Sequence, residues 1–576
     1  MRTVADAAIF LLACLAAASA AESPAVAASL DLSLEQKVGQ LLMVGLSGKR
    51  LEPEAARLLR TIRPGAVILY SRNISSTSQL RRFAGEITRA MENGVIPFLA
   101  VDQEGGNVVR VRYPATVIPG AMALGATGDT ALAFLAGVAT GADLRQLGIT
   151  MNLAPVLDVN TSAANSVINV RAFSDDAVLV GKLGSAYMLG QQQSGVAAVA
   201  KHFPGHGDTA IDSHYGLPVV RIDEKALLDR VLLPFRYASA VGLDALLVGH
   251  VAVPSVDPSG APASLSEKLI SGILRNRLGF DGLVVTDDME MHAVADRYGT
   301  GEAAVRSVLA GSDMVMVAWT PSRKYEAFNA LLEAVRSGRI PRRRLEEAVA
   351  RILSLKRKYG LLASHHSNVQ PARPSLPVGR HQKIARTIAR RSVTLVFDRQ
   401  RMLPLPRGSR LVVASALSHF LGKMKELFPR SVTLKMQHAP SRRKLSGYLE
   451  RLGKLAAGSD AVVVGVSNRY HAWLVQRLYR KTSTPVIVVS FASPYLVRYF
   501  RGVAAYLCTY SYQPLSQLAV AEALAGRISI TGKLPVTIGR GMKRGGGLVL
   551  RASARRRPPG IAGGQGALLH AGTAME

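Results

Sequence analysis

Residues 201–214, reading KHFPGHGDTAIDSH, directly follow the apolar run 196–200 and crowd together more reactive side chains than any other stretch of this chain. Lys201 supplies a cation, His202, His206 and His214 supply imidazoles that titrate near neutrality, and Asp208 and Asp212 supply carboxylates. Gly205 and Gly207 give the loop freedom for a sharp path and for close approach to a ligand. Three chemistries fit. The histidines can be hydrogen-bonding groups of an ordered loop. His202, His206 and Asp208 are metal-ligand types, although the cluster brings no further evident ligand. Asp212 and His214 can form an acid/base dyad, the carboxylate orienting the imidazole and raising its pKa so that it donates a proton near neutral pH. The dyad is the reading that the rest of the chain favours.

An apolar run that ends in polar residues is a strand delivering side chains to a site, and the arrangement recurs. Eight short runs, 41–46, 66–70, 96–101, 150–153, 196–200, 245–248, 283–285 and 314–317, alternate with stretches of helical periodicity such as 78–93, 132–147 and 224–241. Strand alternating with helix predicts a parallel sheet. The third run leads into Asp102-Gln103-Glu104-Gly105-Gly106, the fifth into Lys201-His202, the sixth into Gly249-His250 and the seventh into Thr286-Asp287-Asp288. Chemistry gathered at the C-terminal ends of several strands is the active-site face of a (β/α)8, TIM-like barrel. An open doubly wound sheet also binds ligands at that edge, but eight successive units favour the closed form. The barrel is expected over 30–362, opening on a capping box from Ser33 to Gln36.

With 576 residues, 48% of them apolar, the chain exceeds one ordinary core, so two domains are expected. A helix through 351–356 runs to Gly360, after which Pro371, Pro374 and Pro377 predict a linker over 363–385. Apolar runs at 393–397, 411–414, 461–466, 486–490 and 504–510 then alternate with helical stretches such as 445–457, predicting a C-terminal α/β sandwich domain over 386–540. The Gly-, Arg- and Pro-rich remainder, 541–576, reads as a disordered basic tail.

At the other end, Arg2, the apolar run 7–18 and Ala18-Ser19-Ala20 predict a signal peptide over 1–20 and an exported, periplasmic or secreted protein. Leu11-Leu12-Ala13-Cys14 offers a lipoprotein box as the alternative. The run is short for a membrane span. Cys14 and Cys508 are the only cysteines, so the processed chain is expected to hold no intramolecular disulfide. Lys and Arg give a net charge of +31 and read as spread along the chain and interleaved with acids, a solvated basic surface suited to electrostatic association with an anionic cell envelope. Nucleic acid is not expected as a partner, because no binding motif accompanies the export signal.

A carboxylate after the seventh strand, facing a proton donor after the fifth, suits attack on an electrophilic centre with protonation of the leaving group. Retaining glycoside cleavage needs that pair: Asp287 as nucleophile, and His214 oriented by Asp212 as acid/base. The motifs at 102–106, 169–171, 201–207, 212–214 and 282–287 together resemble family-three glycoside hydrolases, specifically their β-N-acetylglucosaminidase branch. Leu403-Pro404-Leu405 and Gly532-Lys533-Leu534-Pro535 extend the likeness to the two-domain members. The resemblance implies Asp287 rather than Asp288 as nucleophile, the His214/Asp212 pair as acid/base, and Asp102, Arg110, Arg171, Lys201 and His202 around the terminal sugar. Asn107 and Ala172 depart from the pattern, where a basic residue and Ser are frequent.

The expected activity is therefore removal of terminal β-linked N-acetylglucosamine from peptidoglycan- or chitin-derived saccharides, with no cofactor and no metal. A β-glucosidase or β-xylosidase of the same fold and a phosphorolytic variant are the nearest alternatives. A metal-dependent hydrolase built on His202, His206 and Asp208, or a non-catalytic wall-binding protein, are alternatives of another class. Asp102, next to Glu104, also admits a purely structural reading as a residue that caps or buttresses a turn, Arg171 one as an ion-pair residue, and His250 reads as a supporting or packing residue. Strand alternation predicts that only one of Asp287 and Asp288 faces the site.

Overall fold

The computed structural model describes residues 31–91, 95–209, 216–362 and 378–552. The expected signal peptide lies outside these residues, as do most of the expected linker and tail. Within them, eight parallel strands close into a barrel in sequence order: β1 (Leu42–Gly45), β2 (Ala66–Ile68), β3 (Phe98–Val101), β4 (Met151–Asn152), β5 (Ala197–Phe203), β6 (Ala245–Val248), β7 (Leu283–Asp288) and β8 (Met314–Val317). Pairing of β1 with β8, Leu42 opposite Val315, completes the ring.

The helices form for legible reasons. Ser33 and Gln36 exchange the predicted capping-box bonds ahead of the helix Leu34–Gln40. The helix Pro53–Ile62 starts on its proline and buries Ala55, Leu58, Leu59 and Ile62, one apolar face at helical spacing. Only the stretch expected to run unbroken over 224–241 differs: it divides into Glu224–Ala226, the π-turn Leu227–Val231 and Leu233–Ala240, where Pro234 lacks the N–H that a continuous helix needs.

Beyond the barrel, β9 (Thr394–Asp398), β10 (Leu411–Ser415), β11 (Val432–Lys435), β12 (Ala461–Val466), β13 (Val486–Ser490) and β14 (Ala505–Cys508) form one sheet in the order β11-β10-β12-β13-β14-β9, parallel except for β9. Two boundaries need correction. The helix Val378–Arg391 occupies the end of the expected linker, since no proline follows Pro377 there. Residues 541–552 of the expected tail are ordered: Leu548 bridges to Leu395 and Leu550 to Ile530, tying them to this domain.

The charge is not evenly spread either. Residues 378–552 hold 30 Lys and Arg against 5 Asp and Glu, a net of +25, whereas 31–362 hold 36 against 32, a net of +4. Interleaving describes the barrel alone. Cys508 is buried and free. Among the described residues no helix is long and apolar enough to cross a membrane.

Candidate active site

A cavity of about 590 Å³ opens where the barrel strands end, and among the described residues its lining comes from the barrel. Asp102, Arg110, Arg171, Lys201, His202 and Asp287, predicted from sequence as site residues, all line it. Asp212 and His214 lie outside the described residues.

The chain leaving β3 turns back sharply, with Gly105 at φ +85° and Gly106 at +54°. A Cβ on Gly106 would stand 2.9 Å from the Pro119 carbonyl, so glycine is required twice over. Gln103 fastens the turn, its Oε1 accepting from the amides of Arg110 and Val111 and its Nε2 donating to the Val111 carbonyl. Asp102 and Glu104 are thereby presented together. Lys201 Nζ stands 2.7 Å from each of them, and Arg110 reaches Asp102 at 3.4 Å. Arg171 grips Glu104 with a two-pronged contact, Nε at 2.9 Å and a terminal nitrogen at 2.8 Å.

This is a buried charge cluster, and its parts hold one another ionised. Burial alone pushes the Glu104 carboxyl up, but Arg171 and Lys201 outweigh it and keep the group well below the usual carboxylate range. Burial likewise lowers the Lys201 ammonium, and Asp102 with Glu104 reverses the shift. The ion pair foreseen for Arg171 is thus real, with Glu104 as its partner, and it stands inside the cavity.

Asp158 was not foreseen. It follows β4, a strand of two residues, at a distance that hides it from a search of strand ends. Fully buried, it accepts from His202 Nδ1 at 2.7 Å and from the His206 amide at 2.5 Å. Burial pushes its carboxyl up, but His202 and the His206 amide bring it below its usual value. With Nδ1 facing Asp158, His202 turns Nε2 toward Arg171, 3.3 Å away. Tyr70, Arg72 and Trp319, after β2 and β8, were also missed.

Asp287 and Asp288 both line the cavity, contrary to strict alternation. The pairing of β7 with β8 shifts register between Val285 and Asp288, and β5 shifts against β6 between Ala200 and Phe203, so adjacent residues reach one side in both strands. Their environments diverge. For Asp287, burial pushes the carboxyl up, but His250, His202, the Asp288 amide and Lys201 together hold it below its ordinary value. Burial, with Glu290 and Asp287 nearby, pushes Asp288 up to about 7, and its Oδ2 is buried without a hydrogen-bond partner. Asp287 is the more fully ionised of the two at neutral pH. His250, fully buried, donates from Nε2 to the Asp288 carbonyl at 2.9 Å and pairs through Nδ1 with Ser264, which fits a packing and positioning role.

The metal-ligand reading of His202, His206 and Asp208 finds no convergence. Asp208 pairs with Arg230 at 3.0 Å, His206 Nδ1 with Thr209, and His202 Nδ1 with Asp158. No group of three or more His, Cys, Asp or Glu among the described residues is arranged to hold a metal ion.

A barrel mouth that combines an ionised carboxylate with a cluster of buried carboxylates and cations has the chemistry of a glycoside hydrolase, the class to which comparison with known proteins assigns it. Residues 33–355 match the glycosyl hydrolase family 3 N terminal domain, and the chain belongs to that family. It is 32% identical over 431 residues to beta-hexosaminidase A of Pseudoalteromonas piscicida, covering 67% of this chain and 71% of that one. To the beta-N-acetylglucosaminidase/beta-glucosidase of Cellulomonas fimi it is 29% identical over 551 residues, 88% and 94% of the two chains. The solved family 3 beta-N-acetylglucosaminidase of Paenibacillus sp. str. FPU-7 superposes with a TM-score of 0.82 at 34% identity, covering 88% of this chain and 99% of that one.

Proposed function

We propose that the protein is a retaining exo-β-N-acetylglucosaminidase acting on peptidoglycan- or chitin-derived saccharides. The observation that carries the reading is an ionised Asp287 sharing one cavity with Asp102, Lys201 and Arg171. Asp287 attacks the anomeric carbon while the bond to the glycosidic oxygen breaks, and His214, oriented by Asp212, gives that oxygen its proton. The same imidazole then takes a proton from water, whose oxygen displaces Asp287 from the glycosyl ester and restores the carboxylate. Asp102, with Arg110 and Lys201 beside it, accepts hydroxyl hydrogens of the terminal sugar.

The test is release of nitrophenol from the aryl β-N-acetylglucosaminide and from the matching β-glucoside, by wild type and Asp287→Ala, with and without EDTA. Turnover of the first substrate alone, abolished in the variant and indifferent to EDTA, supports the reading. Turnover of both favours the second reading, a dual-specificity enzyme, which the printed name of the Cellulomonas fimi relative motivates. Added phosphate that yields a sugar 1-phosphate would instead establish the phosphorolytic variant. Export and association with an anionic envelope belong to the same proposal, and the net +25 of residues 378–552 supports the association.

A further inference from the structure

One wall of the cavity has no part in the chemistry above. It is built by Tyr70 and Arg72 beyond β2 and by Trp319 beyond β8. Trp319 is 52% exposed, an unfavourable position for the largest apolar ring a protein has. Yet the backbone that presents it is bonded at five successive polar groups. Asp288 accepts from the Ala318 amide at 3.3 Å, and Arg72 donates to the Ala318 carbonyl at 3.0 Å. Glu290 accepts from the amides of Trp319 at 2.7 Å and Thr320 at 2.9 Å, and Lys324 Nζ donates to the Trp319 carbonyl at 3.4 Å.

The ring itself is backed on part of its surface. Tyr70 stacks against it with centroids 4.9 Å apart, and the Arg72 guanidinium lies 3.9 Å from its centroid. A loosely held tryptophan would fold down and hide. This one is fixed with half its surface open at the cavity that holds Asp287, which is how a flat binding platform is built.

We propose that Trp319 is the platform of the leaving-group subsite: a pyranose ring of the aglycone stacks its C–H face on the open indole while the terminal sugar occupies the end of the cavity at Asp102 and Asp287. The inference rests on the exo-β-N-acetylglucosaminidase reading and deepens it, assigning the enzyme to saccharide aglycones. Tyr70 and Arg72 act as positioning residues behind the ring.

The experiment compares kcat/KM for di-N-acetylchitobiose, whose leaving group is a sugar, with that for methyl β-N-acetylglucosaminide, whose leaving group has no ring, in wild type, Trp319→Ala and Trp319→Phe. The expected result is that the disaccharide-to-methyl ratio falls about tenfold in the alanine variant, mainly through KM, and that phenylalanine restores most of it. A second measurement guards against misfolding: with Trp473→Phe as background, so that Trp319 is the only tryptophan, the disaccharide bound to an Asp287→Asn enzyme shifts the remaining fluorescence, whereas N-acetylglucosamine alone does not. An unchanged ratio with unchanged fluorescence overturns the subsite while leaving the parent reading intact. Wild-type inactivity on both substrates overturns the parent reading, and the subsite with it.

Discussion

Replacing Glu104 by Gln keeps the shape of the side chain and removes its charge. In the native cavity both carboxylate oxygens of Glu104 accept from Arg171, and Lys201 stands 2.7 Å from one of them. An amide has one acceptor oxygen, so in either orientation its NH2 faces a donor. Lys201 retains Asp102, but Arg171 is left buried without its counter-charge. Breaking a buried pair from one side is destabilising by ~3–5 kcal/mol, and the surviving Lys201–Asp102 contact places this case near the low end. For a barrel of this size, about 3 kcal/mol corresponds to a fall of roughly 5 °C or more in melting temperature. Arg171 also loses its fixed position in the cavity where the sugar is proposed to bind, so kcat/KM should fall by about 10²-fold.

The pH dependence supplies a sign. The folded-state pKa of Glu104 is depressed, so its contribution is fully present above the unfolded carboxylate value of about 4.3 and is lost as pH falls toward the folded value. The gap between wild type and Glu104→Gln must therefore be widest near neutrality and close in acid. Glu302→Gln is the control. Its carboxylate bridges Arg306 and Arg339 at the surface and should cost under about 1 kcal/mol. Thermal unfolding of the three proteins between about pH 2 and 8, with aryl-glycoside kinetics alongside, decides the matter. A Glu104→Gln enzyme that melts and turns over like wild type would refute the account of the cluster as mutually compensated charges.

Three further outcomes are expected. Asp288→Asn should gain stability relative to wild type as pH rises from about 4 to 7, by on the order of 1.4 kcal/mol per pH unit at most, because a carboxyl pushed up to about 7 in the folded state weakens folding over that window and an amide does not titrate; a flat difference across the melting series contradicts it. Gln513→Ala removes the hydrogen bond to the Gly106 carbonyl behind Asp102 and Glu104, and kcat/KM should drop about fivefold, the equivalent of ~1 kcal/mol, with kinetics on the aryl glycoside as the check. Retention on a carboxylated polysaccharide should be strong at low salt, be lost as ionic strength rises toward about 1 M, and weaken when the exposed Arg442, Arg443 and Lys444 are replaced by Ser; salt-insensitive retention argues against charge as its cause.

How far the sequence can be read depends on which physical signal each element sends. The runs 245–248 and 314–317 coincide with β6 and β8, and 461–466 and 486–490 with β12 and β13, because a strand buried on both faces is a continuous apolar run. β11 sends no such signal. It is an edge strand with only Leu434 buried, and its sequence VTLK has no apolar block. The polar residues next to strand ends were legible for the same reason that β3, β5 and β7 were. Asp158 and Trp319 were not, one lying well past a two-residue strand and the other being an apolar residue in a polar place. Alternation failed at Asp287 and Asp288 because a register shift cannot be seen without the partner strand.

The second domain lends the cavity no side chain among the described residues, yet its contacts with the barrel fall behind the functional loops rather than at random. Gln513 bonds the Gly106 carbonyl, in the turn that presents Asp102 and Glu104. The Tyr495 hydroxyl accepts from Asn160, two residues past Asp158, and the Pro535 carbonyl accepts from Ser174, three past Arg171. These are the loops after β3 and β4, which are long and carry Asp102, Glu104, Arg110 and Arg171, all of the charged cluster except Lys201. The wall after β8 needs no such brace, because Asp288, Glu290 and Lys324 already hold it. Few of the domain's 30 cations are used in this contact among the described residues: Arg391 pairs with Asp129, Arg544 with Asp175 and Asp176, and Arg498 donates to the Ala163 carbonyl at 3.4 Å. The brace and the surface charge are therefore separable properties of one domain. Salt that releases the protein from an anionic matrix should leave kcat/KM on a small neutral glycoside almost unchanged, whereas loss of the Gln513 contact should do the reverse.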